Sequence, residues 1–489
     1  MRLCSITLCG GLAVILVSTA AMTQEALLAT FVSLGHIPGG EFLSEASDIT
    51  PGGQVVVGYS ASHDGPPASL EPFRWTRNMG MVGLGHPNPG YGLAVSVSTD
   101  GAVVAGFQSV EMRWEAFRWT KDGGRAPLNG IPLGFHSFAT DMSADGSVIA
   151  GYVYGPQTGA PRFRAFRWTA ASGAVLLTAD FLESVTTGIS SDGSVTLGYV
   201  LGEHGPESFR WTADAGVVRL GDPPNKYEAD IPQAASADGS TVVGTLIYGL
   251  QRKCEAYRWT TNSGFKPLGD HLPNGTCNGA YAVSGNGRIV GGASAVQNAS
   301  GTIIGEEAFI WTPAKGIRRL QDVLTKNFRL NLDGWRLGHI SAISSDRTSV
   351  AMAGGGINPA GHLEAWKVVL PRVQRVDIDI MPGSDINKIF PWGRGMIPVA
   401  ILSTHRFDAR SEVDQKSLTF GRTGDEDSLA TCHAKDINDD DSGDLVCDFR
   451  TESTGFQCGD VQGVLRGERL DGTTLEGLVG TDSIYVRCK

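Results

Sequence analysis

The sequence predicts an all-β protein: a seven-bladed β-propeller followed by a small β-sandwich. Three observations carry this. The phrase Glu115-Ala116-Phe117-Arg118-Trp119-Thr120 recurs along the chain, with its Trp at Trp75, Trp119, Trp168, Trp211, Trp259, Trp311 and Trp366, spaced 44, 49, 43, 48, 52 and 55 residues apart. A self-similar period of about 40–50 residues marks a propeller or an array. Each unit holds four short strand patterns, the content of one blade. Composition agrees, since 65 glycines in 489 residues with 19% charged and 8% aromatic residues suit a turn-dense β protein.

The chain opens with Arg2, an apolar run over residues 3–17 and the small residues Ser18, Thr19, Ala20 and Ala21. That order reads as a secretory signal peptide over residues 1–21, cleaved after Ala20 or Ala21. The run is shorter than the roughly 20 apolar residues of a spanning helix, so the mature chain is expected to have no membrane span. Removing Cys4 and Cys9 leaves Cys254, Cys277, Cys432, Cys447, Cys458 and Cys488, none in a C-x-x-C pair. An even set in an exported chain reads as disulfides rather than zinc ligands. Cys254 and Cys277 are alone in the repeat region and are expected to pair, leaving two bridges for the C-terminal segment. Net charge is −11; from Val373 onward 13 Lys/Arg against 21 Asp/Glu leave −8, and the preceding part carries −3. Such a balance offers no basic footprint for nucleic acid or anionic lipid.

Within a unit the order is fixed. In the third, residues 138–143 and 147–152 flank Asp145-Gly146, a strong hairpin signal because the tight turn needs positive φ. The turn recurs as Asp100-Gly101, Asp192-Gly193 and Asp238-Gly239, with Gly52-Gly53 in the first unit, Asn286-Gly287 in the sixth and Asp346-Arg347 in the last. A loop of variable length follows, then the Trp strand, a glycine turn such as Asp122-Gly123-Gly124, and a fourth strand such as residues 216–221. The seventh unit ends at Leu370-Pro371 without a fourth strand, whereas residues 29–35 show the fourth-strand pattern before the first unit. The N-terminal segment is therefore expected to complete the last blade and close the ring.

Along the Trp strand, Phe117 and Trp119 share one face and Arg118 and Thr120 the other. The aromatic stripe is read as core between blades rather than as an exposed sugar platform. The repeated Arg74, Arg118, Arg167, Arg210 and Arg258 should then find a turn Asp or a carbonyl of a neighbouring blade, because a buried guanidinium must be paired. Residues 319–326 have apolar spacing suited to one or two helical turns, and residues 331–335 close this insertion, read as padding between blades.

The pairing of (I/V)S-x-DG-S-V-V-(V/A)-G with x-AF-x-WT and x-LG-(D/H)-x-PGG resembles the HAF-repeat proteins, a family of predicted extracellular bacterial repeats, over residues 29–370. The family's leading His is replaced here by Glu71, Glu115, Glu207, Glu255, Glu307 and Glu364, and by Arg164 in the third copy. The resemblance implies fold and location more than chemistry.

From Val373 the repeat stops. Residues 376–380, 397–402, 417–420, 445–449, 461–466 and 483–486 read as strands of a β-sandwich, making residues 373–489 an acidic second domain. The stretch IDIMPGSDINKIFPWGRGMIPVAIL (378–402) resembles a C-terminal module of secreted bacterial proteins, over residues 375–489. Inside it, residues 436–444 place oxygen donors at alternate positions, as a hard cation such as Ca²⁺ requires. Asp436, Asn438, Asp440 and Asp444 would give side chains and Ser442 a carbonyl. The related module usually has Gly where Asp441 stands, and no Glu occupies position 12; a solvated acidic loop is the alternative. Cys432 and Cys447 bracket this loop, leaving Cys458 for Cys488.

No G-x-S-x-G, H-E-x-x-H or phosphate-cradling glycine loop is present. The ten His are scattered, with His36, His86 and His271 at turns between blades. The expected function is that of a secreted, extracellular (or periplasmic or surface-associated) non-catalytic binding propeller, monomeric, with an unidentified protein or glycan ligand. Loops 60–71, 154–164 and 292–307 would carry specificity. The alternative is an extracellular carbohydrate-active enzyme, a glycoside hydrolase or lyase, with its site at the channel mouth. Acids or His converging in one pocket would favour it.

Overall fold

The computed structural model describes residues 29–487 except 63–68, 86–89, 156–162, 179–182, 203–204, 225–226, 250–252, 270–271, 273–274, 299, 301, 347, 406, 471–473 and 476. The signal-peptide reading and Cys488 fall outside these residues, as do His86, His271, half of loop 60–71 and most of loop 154–164. No helix among the described residues is long and apolar enough to cross a membrane.

The repeat region is a β-propeller of four-stranded antiparallel sheets. In the third repeat His136–Met142, Val148–Tyr154, Phe163–Thr169 and Gly173–Leu176 pair in that order. The same order runs from Ser44–Ile49 to Gly80–Gly83, from Gly92–Val97 to Gly124–Pro127, and from Ser184–Ile189 to Gly216–Arg219. The fifth and sixth repeats, Ala229–Ala235 to Gly264–Pro267 and Gly275–Val283 to Gly316–Arg319, touch edgewise at a bridge between Cys254 and Cys277, which form a disulfide. In the seventh repeat Leu363–Pro371 pairs on one side with Ser349–Ile357 and on the other with Thr30–Ser33, Thr30 opposite Val369 and Ser33 opposite Trp366. Gly35 N–H then donates to Glu364 Oε1 at 2.9 Å, as Gly85 N–H does to Glu71 Oε1 at 2.8 Å in the first repeat. The Glu of the repeated phrase thus ties the third strand to the end of the fourth.

The repeat phrases acquire their physical reasons at the joints between sheets. Phe73, Phe117, Phe166, Phe209, Tyr257 and Phe309 are fully buried. Opposite Phe117 stands Gly106, where a Cβ would lie 2.6 Å from the ring edge, and Gly151 and Gly198 meet Phe166 and Phe209 in the same way, which explains the glycine in the middle of these second strands. Four of the repeat Trp (Trp75, Trp168, Trp259, Trp366) are buried and the other three half-buried. Trp168 Nε1 reaches back to Asn129 Oδ1 at 2.7 Å and Trp259 Nε1 to the Leu220 carbonyl at 3.0 Å, so these two indoles face the preceding sheet, whereas Trp366 Nε1 donates to the Gly355 carbonyl of its own sheet at 2.9 Å.

The opposite face carries the arginines. Arg74, Arg118 and Arg258 donate Nε to the carbonyls of Gly101, Gly146 and Gly287, at 3.1, 3.4 and 3.0 Å, and Arg167 donates Nη2 to Gly193 at 3.3 Å. Each acceptor is the turn glycine of the next repeat, the carbonyl version of the expected pairing. In the seventh repeat Lys367 takes the Arg position, donating to the Gly53 carbonyl at 2.5 Å and lying 4.3 Å over the Trp75 ring. Gly146 illustrates why the turn keeps glycine: φ is +71°, and a Cβ would approach Val103 of the preceding sheet to 2.9 Å. Arg210 departs from the pattern, its Nε being buried without a hydrogen-bond partner.

The insertion forms short helical turns, Leu320–Asp322 and Val323–Asn327. It is not padding. Leu320, Val323, Leu324, Leu332 and Trp335 are buried in one cluster with Ile310, Ile340 and Trp366.

C-terminal residues form two further four-stranded sheets and a two-stranded one. Of the four-stranded sheets, one orders Gln374–Arg375, Leu478–Ser483, Gln462–Arg469 and Val413–Gly421; the other orders Ile378–Ile380, Met396–Ile401, Asp444–Arg450 and Leu429–Lys435. They share a core around Ile380, Val399, Phe420, Phe449 and Leu465. The strand Leu429–Lys435 was absent from the sequence reading because most of it is exposed and shows no alternation. Cys432 and Cys447 are cross-strand neighbours and form a disulfide; Cys458 is also disulfide-bonded.

Candidate functional site

Every first strand of the repeats carries a β-bulge, with register slips at Ser47, Val95, Thr140, Thr187, Gln233, Tyr281 and Ser341. A bulge bends its strand and re-aims a side chain. These seven residues line one central cavity of about 360 Å³, together with Asp48, Asp141 and His339. The channel wall is therefore made by one irregularity repeated in each unit.

Immediately after the bulge, three successive repeats place Asp48, Ser96 and Asp141. Ser96 Oγ lies 3.0 Å from Asp48 Oδ2 and 3.0 Å from Asp141 Oδ1. Backbone N–H groups fix both carboxylates: Val97 and Ile49 donate to Asp48 at 2.8 and 2.7 Å, and Ile189 and Met142 to Asp141 at 3.0 and 2.7 Å. Burial pushes Asp48 up to about 7, with the Asp141 charge adding to it, and burial alone pushes Asp141 up to about 6. The geometry agrees. A hydroxyl owns one proton and can donate to one acid, so the second short contact is a hydrogen bond only when the other carboxyl is protonated. The pair is bridged and capped rather than open to a substrate.

A larger cavity, about 650 Å³, lies between the sixth and seventh repeats and reaches Glu45 of the first. Glu45, Glu306, Glu307, Asp322, Arg319, Arg336 and His339 face it, and Gly338, Gly355 and Gly356 leave its wall bare. Its volume is that of a small-ligand pocket. Acids do converge here, but three are engaged: Arg319 pairs with Glu307 at 2.7 Å, Lys326 with Asp322 at 3.3 Å, and Tyr59 donates its hydroxyl to Glu45. His339 reaches both cavities.

In the acidic loop, Asp436 Oδ2 accepts from Asp441 N at 3.2 Å, Asp440 Oδ1 from Ser442 N at 2.8 Å, and Asn438 Nδ2 donates to Asp440 Oδ2 at 3.0 Å. The Ser442 N–H, its largest influence, holds the Asp440 carboxyl below its usual range. Asp441 adopts φ +63°, the backbone state expected of the glycine it replaces. Asp436 Oδ1 is buried without a hydrogen-bond partner. Asp444 differs from the others, being fully buried with Oδ1 accepting from Ser403 N at 2.7 Å and Oδ2 from Ile437 N at 2.9 Å. Among the described residues no group of three or more His, Cys, Asp or Glu is arranged to hold a metal.

The sequence reading named neither Asp48, Ser96, Asp141 nor His339. A signal existed: Ser47-Asp48-Ile49 and Thr140-Asp141-Met142 put an acid at the same place of two first strands. Of the histidines expected at turns, His36 is half-buried, its ring 4.2 Å from that of Phe42, which stacks in turn on His362.

No protein-family model matches the chain, and no curated protein does. Solved structures show likenesses at low identity. TolB from Acinetobacter baumannii is 15% identical at a TM-score of 0.37, over 53% of this chain, which spans 61% of that protein's length. The oligogalacturonate lyase of Vibrio parahaemolyticus is 11% identical at 0.46, over 71% of this chain and 98% of its own. The β-propeller domain of the Trilobed protease from Pyrococcus furiosus is 9% identical at 0.41, over 66% and 95%. These are likenesses to other proteins' folds, and no activity is carried across from them.

Proposed function

We propose that the chain is an exported, non-catalytic binding protein: a closed seven-bladed propeller of HAF type over residues 29–370, followed by an acidic β-sandwich over 373–489. The pairing of Thr30–Ser33 with Leu363–Pro371, together with the Lys367–Gly53 contact repeating the Arg–Gly contact of other joints, supports closure. The disulfides support an oxidising compartment. The ligand, a protein or a glycan, sits in the cavity between the sixth and seventh repeats. A single observation carries the binding reading: a ligand-sized cavity with convergent charges whose acids are mostly already partnered. The test is a glycan and secreted-protein binding screen with the purified mature chain. Binding lost at least tenfold in Arg336→Ala is expected, and capture unaffected by that change removes the seat from this cavity.

The convergence of acids there favours the second reading, an extracellular carbohydrate-active enzyme. Turnover of any screened glycan, abolished in Glu306→Gln, replaces binding by catalysis. The channel pair is a poorer candidate, because Ser96 fills the gap between its facing oxygens and glycoside chemistry needs that gap for the scissile bond.

We also propose Ca²⁺ at the acidic loop, held by Asp436, Asn438, Asp440 and the Ser442 carbonyl, with Asp444 bracing the loop through its two backbone bonds. The partnerless Asp436 Oδ1 supports this. Calorimetry of the full chain with millimolar calcium should show heat that disappears in Asp436→Asn/Asp440→Asn; no heat from the unmutated chain ends the proposal.

A further inference from the structure

The two-residue strands Lys388–Ile389 and Tyr485–Val486 pair in parallel, Lys388 beside Tyr485 and Ile389 beside Val486. Ile389 and Val486 are buried in the module core, so alternation turns Lys388, Phe390, Tyr485 and Arg487 outward. A turn closed by Gly393 N–H to the Phe390 carbonyl, 2.8 Å, brings Trp392 and Arg394 alongside. Phe390, Trp392 and Tyr485 are 46, 54 and 56% exposed, and the Arg487 guanidinium lies 5.8 Å from the Phe390 ring centre. Three large aromatic side chains this exposed within two short segments leave apolar area in water, as a contact surface does.

Charge sets the patch apart. Residues 386–396 and 485–487 hold Lys388, Arg394 and Arg487 and no acid, whereas the module from Val373 onward sums to −8, so its remainder carries −11. Exposed aromatic rings pack against polarised C–H groups such as those of a pyranose face, and Arg, here set over Phe390, binds a carboxylate with paired N–H donors. The surrounding negative field narrows the choice. A bilayer of anionic lipid or a strand with a charge on every residue must bring many charges within a Debye length, about 8 Å, of the acidic remainder. A glycan with widely spaced carboxylates can set one against Lys388, Arg394 or Arg487 while staying clear of Asp482, whose carboxylate is held at the patch edge by Asn387 Nδ2 at 2.9 Å.

We propose that the surface of Phe390, Trp392 and Tyr485 with Lys388, Arg394 and Arg487 binds a sparsely carboxylated glycan, its sugar rings laid on the aromatic faces. This site lies in the C-terminal module, away from the cavity proposed above, and stands or falls independently of it.

The test measures binding of the full mature chain to gellan, neutral dextran, polygalacturonate, phosphatidylglycerol vesicles and oligo-dT, for the unmutated protein, Trp392→Ala and Lys388→Glu/Arg487→Glu. Binding to gellan that is at least tenfold tighter than to dextran, falls at least tenfold in both variants and weakens with salt supports the proposal. Equal binding to gellan and dextran overturns it, as does preference for vesicles, oligo-dT or polygalacturonate, or no binding at all. The charge-reversed side chains are solvent-exposed, so that variant folds even where the Trp392 change disturbs the turn. Retention of gellan binding by Arg336→Ala separates this site from the cavity.

Discussion

The joint between the second and third repeats and the joint between the sixth and seventh solve one geometric problem in two ways. At the first, Arg118 reaches the carbonyl of Gly146, whose lack of a Cβ lets the turn settle on Val103. At the second, Ile310 stands in the arginine position and is fully buried, and the facing turn reads Asp346-Arg347 with no glycine. There the insertion supplies Leu320, Val323, Leu324 and Trp335 as an apolar plug. Where the acceptor turn is lost the arginine is lost with it, because a guanidinium between sheets without a carbonyl would be costly. Repeat identity is thus a property of the joint rather than of the single sheet.

The comparison can be broken from its apolar side. Leu324→Ala should cost about 2–5 kcal/mol, the range for truncating a fully buried leucine, read as a lowered denaturation midpoint. A change below about 1 kcal/mol would return the insertion to a spacer role. A covalent joint is intermediate: Cys254→Ser/Cys277→Ser, opening a loop with sequence separation 23, should cost about 3 kcal/mol, and reductant should lower the midpoint less in the variant than in the unmutated chain, since only the C-terminal bridges remain to be opened. At the polar joint Arg118→Met should cost no more than about 1 kcal/mol, since the guanidinium is half-buried and makes one long hydrogen bond. A stabilised variant there would show that the bond serves register rather than stability.

Acidity distinguishes the channel end of these joints from the turn end. Asp48 and Asp141 have folded pKa values raised to about 7 and about 6, against an unfolded value near 4. For an acid raised in the folded state, the stabilising contribution is complete below about 4 and is lost as pH climbs through 6 and 7. The turn acid Asp145 runs the other way: hydrogen bonds, first from the Ser143 hydroxyl, hold it at about 2. Its contribution is present above about 4 and is lost as pH falls toward 2. Thermal stability is therefore expected to peak near pH 4–5 and decline to pH 7, with the decline flattened in Asp48→Asn/Asp141→Asn. An unchanged slope in that variant would place the dependence elsewhere.

Much of the repeat was legible from local pattern. Strand alternation, the Asp-Gly turns and the recurring Trp act within about ten residues, and the structure places a hairpin at each of the turns built on Asp100, Asp145, Asp192 and Asp238. Cysteine position gave two pairings, Cys254 with Cys277 and Cys432 with Cys447. The exposed strand Leu429–Lys435 left no period to read, and the insertion looked like a spacer because its burial depends on Ile340 and Trp366 of other strands.

The sequence alone determined that this is a turn-rich β chain of repeated units with an acidic C-terminal module, because these features rest on neighbours in sequence. Tertiary structure decided that Asp48, Ser96 and Asp141, 48 and 45 residues apart, would share a hydrogen-bonded bridge. It also decided that Glu45 and His339 would face one cavity. Such groups meet only when sheets pack side by side, and their protonation follows from the water that packing removes.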